Sequence, residues 1–149
     1  MSNPFLISVV STPSLEPWDW RNPEKGIGGS ETSHVRMAQE LFKRGYRVLS
    51  FAPTPLEETI TVDPTGLPWI PTESFNQLAE PSKILINYRN PAVFDAEKPE
   101  GAKWWFVAQD TDYGNELTQE RRDKIDRYIT LCPTHAAYTR SRYPELHDS

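Results

Sequence analysis

Five short apolar runs recur along the chain, at residues 5–10, 47–52, 83–88, 103–108 and 128–132. Each is compact and apolar at successive rather than alternate positions, the pattern of strands buried on both faces of a parallel sheet. Between the first two, residues 30–45 place Val35, Ala38, Leu41 and Phe42 on one helical face, with Ser30 as N-cap and Gly45 just past the last turn. Strand, helix and strand in that order predict a βαβ unit.

A second helix is expected over 116–126, with Leu117 and Ile125 turned inward. Its mixed charges, Glu120, Arg121, Arg122, Asp123, Lys124 and Asp126, form a solvated face. A third starts at Thr134 as N-cap and runs through Arg142, stopping before Pro144 and placing His135 in its first turn. Across 54–81, Pro55, Pro64, Pro68, Pro71 and Pro81 exclude a long helix and leave an irregular excursion with one edge strand near 59–62. No repeat or low-complexity tract interrupts the series. The expected fold is α/β: one Rossmann-like domain spanning 1–149, built on an open, doubly wound, mostly parallel sheet.

Composition narrows the chemistry. Sixteen Lys and Arg against 21 Asp and Glu give a net charge of −5, which supplies no general field for nucleic acid or anionic lipid. The single cysteine, Cys132, forms no internal disulfide and no all-cysteine metal cluster, consistent with a reducing, cytoplasmic setting. No signal peptide or membrane span is readable. The 14 prolines are about twice the usual share of roughly 5%, but five Trp, six Tyr and six Phe argue for a packed core rather than disorder.

In such a sheet, ligands collect beyond the carboxyl ends of the strands, which selects four loops. The first carries Gly26, Gly28, Gly29, Ser30 and Glu31 ahead of the first helix, where backbone amides and the helix N-terminus favour an oxygen-rich ligand. It is not a dinucleotide fingerprint: the third glycine position holds Glu31, the loop is too long, and no acidic residue ends the second strand. No Gly-Lys-Ser or Gly-Lys-Thr of a P-loop follows. The second loop presents Arg89, suited to a bidentate anion contact or to a surface ion pair. The third, 109–114, sets Asp110 and Asp112 at alternate positions, fit for a divalent cation bridging a diphosphate or for turn formation, but glycine and Arg121 fall wrongly for an EF-hand. The fourth presents His135, facing the crevice or packing. His34 and His147 lack the spacing of a zinc site.

The ordered set of Gly28, Gly29, Ser30 and Glu31, the helix end at 41–48, the segment 88–91, residues 104–112 and the strand-plus-helix at 129–143 resembles the amino-terminal half of GT-B glycosyltransferases, particularly glycosyltransferase family 4. The resemblance implies a hexosyltransferase-type reaction from a nucleotide-sugar donor, with no other cofactor. It makes this domain the acceptor side for a sugar or glycan and assigns substrate contacts to Gly28, Gly29, Ser30, Glu31, Arg89, Asp110, Asp112 and His135. A carboxyl-terminal donor-binding domain, absent here, would be the essential partner, so the chain alone is expected to be inactive. Where the family often carries His-Asp, this chain has Gln109 and Asp110, and glutamine orients a hydroxyl without accepting its proton. Two alternatives compete: a GT-A-like metal-dependent transferase using Asp110 and Asp112, and a non-catalytic sugar- or partner-binding module.

Overall fold

The computed structural model describes residues 5–12, 14, 16–23, 28–55, 60–77, 80–110 and 112–146. In chain order these form β1 (Leu6–Ser11), α1 (Gly29–Lys43), β2 (Arg47–Ala52), β3 (Thr61–Val62), β4 (Pro68–Pro71), β5 (Ile84–Tyr88), β6 (Lys103–Val107), α2 (Gln119–Arg122), β7 (Arg127–Ile129) and α3 (Pro133–Arg142). Single 3-10 segments occupy Thr72–Gln77, Pro91–Asp95 and Pro144–Leu146.

One seven-stranded sheet runs in the order β3-β4-β2-β1-β5-β6-β7. Every pairing is parallel except that of β3 with β4. All five expected strands are present, and β1 is buried along its whole length, as its two-sided apolar run requires. Alternation along β1 splits the core. Ile7 and Val9 face α1, where they join Val35, Ala38, Val48, Ile86, Trp18 and Trp69. Val10 faces the opposite layer with Phe51, Leu85, Trp104, Phe106 and Tyr128, covered by Phe94, Leu117, Tyr143 and Leu146. Each fully buried large side chain contributes roughly 1.5–3 kcal/mol by leaving water.

Several boundaries differ from the sequence expectation for definable reasons. The N-cap of α1 is Gly28 rather than Ser30, with no side-chain cap bond, so the helix begins two residues earlier than expected. Its other end matches: Gly45 at φ 92 donates to Phe42 O and Tyr46 to Leu41 O, the paired bonds of a Schellman stop. The helix expected over 116–126 shrinks to the four residues of α2, capped by Thr118. Its charges are not an idle solvated face: Arg121 pairs with Asp95, Arg122 with Glu145, and Lys124 Nζ donates to the carbonyls of Phe94 and Ala96. The N-cap position of α3 is Cys132, not Thr134, with no side-chain cap bond and with Pro133 in the first turn.

The proline-rich excursion is more ordered than its composition suggested. Of the edge strand expected near 59–62, Thr61 and Val62 form β3, while residue 59 lies outside the described residues. The unforeseen strand β4 extends the parallel sheet beside β2, and its two prolines sit at its ends, where they cost the fewest ladder bonds. Asp63 organises the hairpin between β3 and β4. Buried, it accepts from the backbone N–H groups of Thr65 and Leu67, the Thr65 hydroxyl, Gln39 Nε2 and Trp69 Nε1. Burial alone would raise its pKa, but those donors hold the carboxylate below its usual value.

Candidate functional site at the carboxyl ends of the strands

Strands leave β1 in opposite directions, to β2 on one side and β5 on the other, so the sheet reverses its winding between β1 and β5. A crevice outside this switch point is where open α/β sheets bind ligands. Helix α1 begins at this end, and the loops after β5 and β6 flank it.

The loop after β5 is built by two buried asparagines. Asn87 Nδ2 donates to Asn90 O at 2.8 Å, and Asn90 N donates to Asn87 Oδ1 at 3.1 Å. Asn90 Nδ2 reaches Ser11 O at the end of β1 at 3.2 Å, and both side chains are nearly inaccessible. This clamp holds Arg89 between them at φ 59, the left-handed conformation that costs a non-glycine residue on the order of 1–2 kcal/mol. Among the described residues Arg89 alone is a non-glycine with positive φ. The forced turn sends its guanidinium between the start of α1 and the loop after β6: Nε donates to Asp110 Oδ2 at 2.9 Å and Nη1 to Ser30 Oγ at 3.1 Å. Ser30 in turn donates to Glu31 Oε2 at 3.1 Å. A half-exposed ion pair of this kind adds little stability, so its importance is positional.

The loop after β6 is held from below. The Tyr113 hydroxyl accepts from the backbone N–H groups of Gln109 at 3.1 Å and Asp110 at 3.3 Å, and its pKa is raised chiefly by burial. On the inner side of α1, Ser33 and the Tyr88 hydroxyl lie 3.1 Å apart.

The sequence-selected residues thus separate into two groups. Ser30, Glu31, Arg89 and Asp110 meet in one hydrogen-bonded constellation. Gly28 and Gly29 lie at its edge, while Gly26 lies outside the described residues, as does His147. Neither described glycine needs a positive φ. A Cβ on Gly28 would meet the Glu31 carboxylate 2.3 Å away, because Glu31 folds back over the helix start, whereas a Cβ on Gly29 would meet nothing within 4 Å.

Asp112 and His135 turn elsewhere. Asp112 accepts from Gly114 N and from the Tyr138 hydroxyl, with Arg142 nearby, and the Tyr138 bond leads the causes that lower its pKa. Asp110 and Asp112 therefore serve different partners, and no group of three metal-ligating side chains occurs among the described residues. His135, in the first turn of α3, is buried, and its Nδ1 accepts from Leu131 N at 3.3 Å.

Sequence reading missed the supports: Asn87, Asn90 and Tyr113. Asn87 and Asn90 carried a usable signal, since Asn side chains bond backbone two or three residues away and stabilise left-handed turns. His34, which lacks the spacing of a zinc site in the sequence, is fully buried between Ser11 Oγ (2.6 Å) and Ser50 Oγ (2.7 Å) and stacks on Trp69 and Tyr88. Burial drives its pKa down to about 3, so it is neutral and structural. Among the described residues no helix is long and apolar enough to cross a membrane. No family model, curated protein or solved structure matches the chain.

Proposed function

We propose that this chain is the acceptor-side, amino-terminal domain of a GT-B glycosyltransferase of the family 4 kind, moving a hexose from a nucleotide sugar to an acceptor hydroxyl. The observation that supports it best is the convergence of Ser30, Glu31, Arg89 and Asp110 at the switch point from three separated segments. Those are the positions that carry the sequence resemblance. In this reading the acceptor oxygen bonds to the anomeric carbon as the bond from that carbon to the leaving phosphate oxygen breaks. The phosphate receives the acceptor proton, so Gln109 need not act as a base and serves to orient the hydroxyl. Arg89 and Asp110 fix the acceptor, and Gly29 leaves the helix start open to it.

The test is a transfer assay with labelled UDP-, GDP- and ADP-sugars. It compares this chain alone with a polypeptide joining it to a donor-binding domain from its own gene. The reading expects transfer only from the longer polypeptide, reduced on the order of a hundredfold by Arg89→Ala, the size of effect typical of losing a positioning group. Turnover by the chain alone, or a gene that ends at Ser149, ends the half-enzyme reading. The separate engagement of Asp110 and Asp112 weighs against the metal-dependent alternative.

A further inference from the structure

We propose that a cleft between the loop after β6 and the end of α3 binds a tetrahedral oxyanion, either free phosphate or the phosphate group of a small ester. It opens beside Leu117 and Tyr143 of the layer opposite α1, and none of Ser30, Glu31, Arg89 and Asp110 lines it, so the proposal does not rest on the transferase reading. The cleft holds about 380 Å³, a volume usual for small-molecule sites. Arg122 and Arg142 stand in its wall with Asn115, Thr118 and Tyr143, and among the described residues no aspartate or glutamate lines it.

Two independent observations distinguish it from a surface recess. Tyr143 is only 5% exposed, yet its hydroxyl has no hydrogen-bond partner among the described residues, where buried polar atoms ordinarily have one. The Arg142 guanidinium likewise makes no hydrogen bond among the described residues. Its carboxylate neighbour, Asp112, stands 3.9 Å from Nε, beyond hydrogen-bond reach, and accepts from Tyr138 and Gly114 N instead. Tyr143 gathers the two arginines: Arg122 lies over its ring at 4.5 Å and Arg142 at 5.4 Å. Arg122 is anchored through Glu145, Leu117 O and Gln119 Oε1, which leaves the free donors to Arg142. Thr118 Oγ1 accepts from Arg121 N, so its O–H remains to donate, and Asn115 adds an amide. Donors from four side chains, unopposed by a lining carboxylate, suit an anion with oxygens on several sides better than a flat carboxylate. The last-turn position of Arg142 also suits the carbonyl end of α3, but that role needs only its charge, whereas the oxyanion role needs its planar fork.

The experiment is amide NMR on the 15N-labelled chain at fixed pH and ionic strength, titrated separately with inorganic phosphate, β-glycerophosphate and acetate. Saturable shifts are expected at Gly114, Asn115, Thr118 and Arg142 with both phosphates and not with acetate. Tighter binding of the ester identifies a phosphate carried on a larger molecule, and tighter binding of inorganic phosphate identifies the free ion; either supports the site. Arg142→Lys keeps the charge at the helix end, so it should leave the melting temperature unchanged while weakening phosphate binding at least roughly tenfold. Tyr143→Phe keeps the ring under both guanidiniums and removes only the unpartnered hydroxyl. It should melt no lower than the natural chain yet bind about fivefold more weakly, a loss that a merely structural tyrosine would not show. Should Arg142→Lys lose its dispersed spectrum, Tyr143→Phe decides alone. No saturable shift at these amides with either phosphate, shifts of equal size with acetate, or unchanged affinity in a folded variant overturns the proposal.

Discussion

At the scale of single residues, the chain's most constrained groups are its buried polar ones. His34 lies at the centre of the α1 face with both ring nitrogens engaged by serine hydroxyls and Trp18 packed edge-on against it. The imidazole titrates near 6.5 when unfolded and at about 3 when folded, so between those values the unfolded chain binds the extra proton. The stability that depends on neutral His34 is therefore complete above pH 6.5. It is lost as pH falls toward 3, at up to about 1.4 kcal/mol per pH unit. The carboxylates with depressed pKa values, Asp63, Asp95, Asp112 and Asp126 below 3.8 and Glu80 and Glu145 below 4.5, add their own losses only at more acid values, which leaves the window from 6.5 down to about pH 5 to His34. Denaturant midpoints measured across that window should fall with acid in the natural chain and flatten in His34→Gln. His34→Leu should cost about 1–3 kcal/mol for each serine hydroxyl stranded in the core. A pH slope unchanged in His34→Gln would show that another group carries it.

At the scale of elements, α1 links stability to the site, and its two ends make opposite predictions. Gly45 sits at φ 92 in the Schellman stop, so Gly45→Ala should cost about 1 kcal/mol and lower the melting temperature by roughly 2–4 °C. Gly29 has an ordinary helical backbone and open space around its missing Cβ, so the fold gives no reason for glycine there. Gly29→Ala should leave the melting temperature unchanged or slightly higher, yet lower sugar transfer by the longer polypeptide, and the bulkier Gly29→Val should lower it further. If both variants transfer as the natural sequence does, the space beside Gly29 is not part of the site.

The legibility of the elements follows the same physics. Five strands announced themselves as short apolar runs, which burial on both faces demands of β1, β2, β5 and β6, while β7 closes the edge beside β6; α1 was legible because its apolar face and Gly45 agree. Strand β4 was hidden because Pro68 and Pro71 bracket a Trp-Ile pair whose strand state depends on pairing with β2, a contact distant in sequence. The expected helix at 116–126 failed because tertiary ties compete with it: Asp126 accepts from Trp104 N and Lys98 Nζ, drawing the chain into β7. The site's charged residues were visible as loop residues at strand ends. Which of them meet was not, since that depends on the Asn87 and Asn90 clamp turning Arg89 toward Ser30 rather than toward solvent.

At the scale of the whole molecule, the sheet divides the interior into two apolar layers that share every central strand. Val9 and Val10 are both fully buried, one in each layer, and β5 contributes Leu85 to one and Ile86 to the other. Neither layer can lose its packing without exposing the back of strands that support the other, so the two should melt together. The tryptophans report this directly: Trp18 and Trp69 lie in the α1 layer, Trp104 in the opposite one. Fluorescence of Trp104→Phe then follows mainly the first layer and that of Trp69→Phe gives more weight to the second, each compared with far-ultraviolet circular dichroism of the same variant. Coincident midpoints are expected in both variants, the mark of a single cooperative transition in a domain of this size. The substitutions open small cavities, so both midpoints should fall by an amount shared by every probe. A fluorescence midpoint displaced from the dichroism midpoint in either variant would show that one layer unfolds alone. The crevice, which draws α1 from one layer and the loops after β5 and β6 from strands common to both, would then rest on two bodies instead of one.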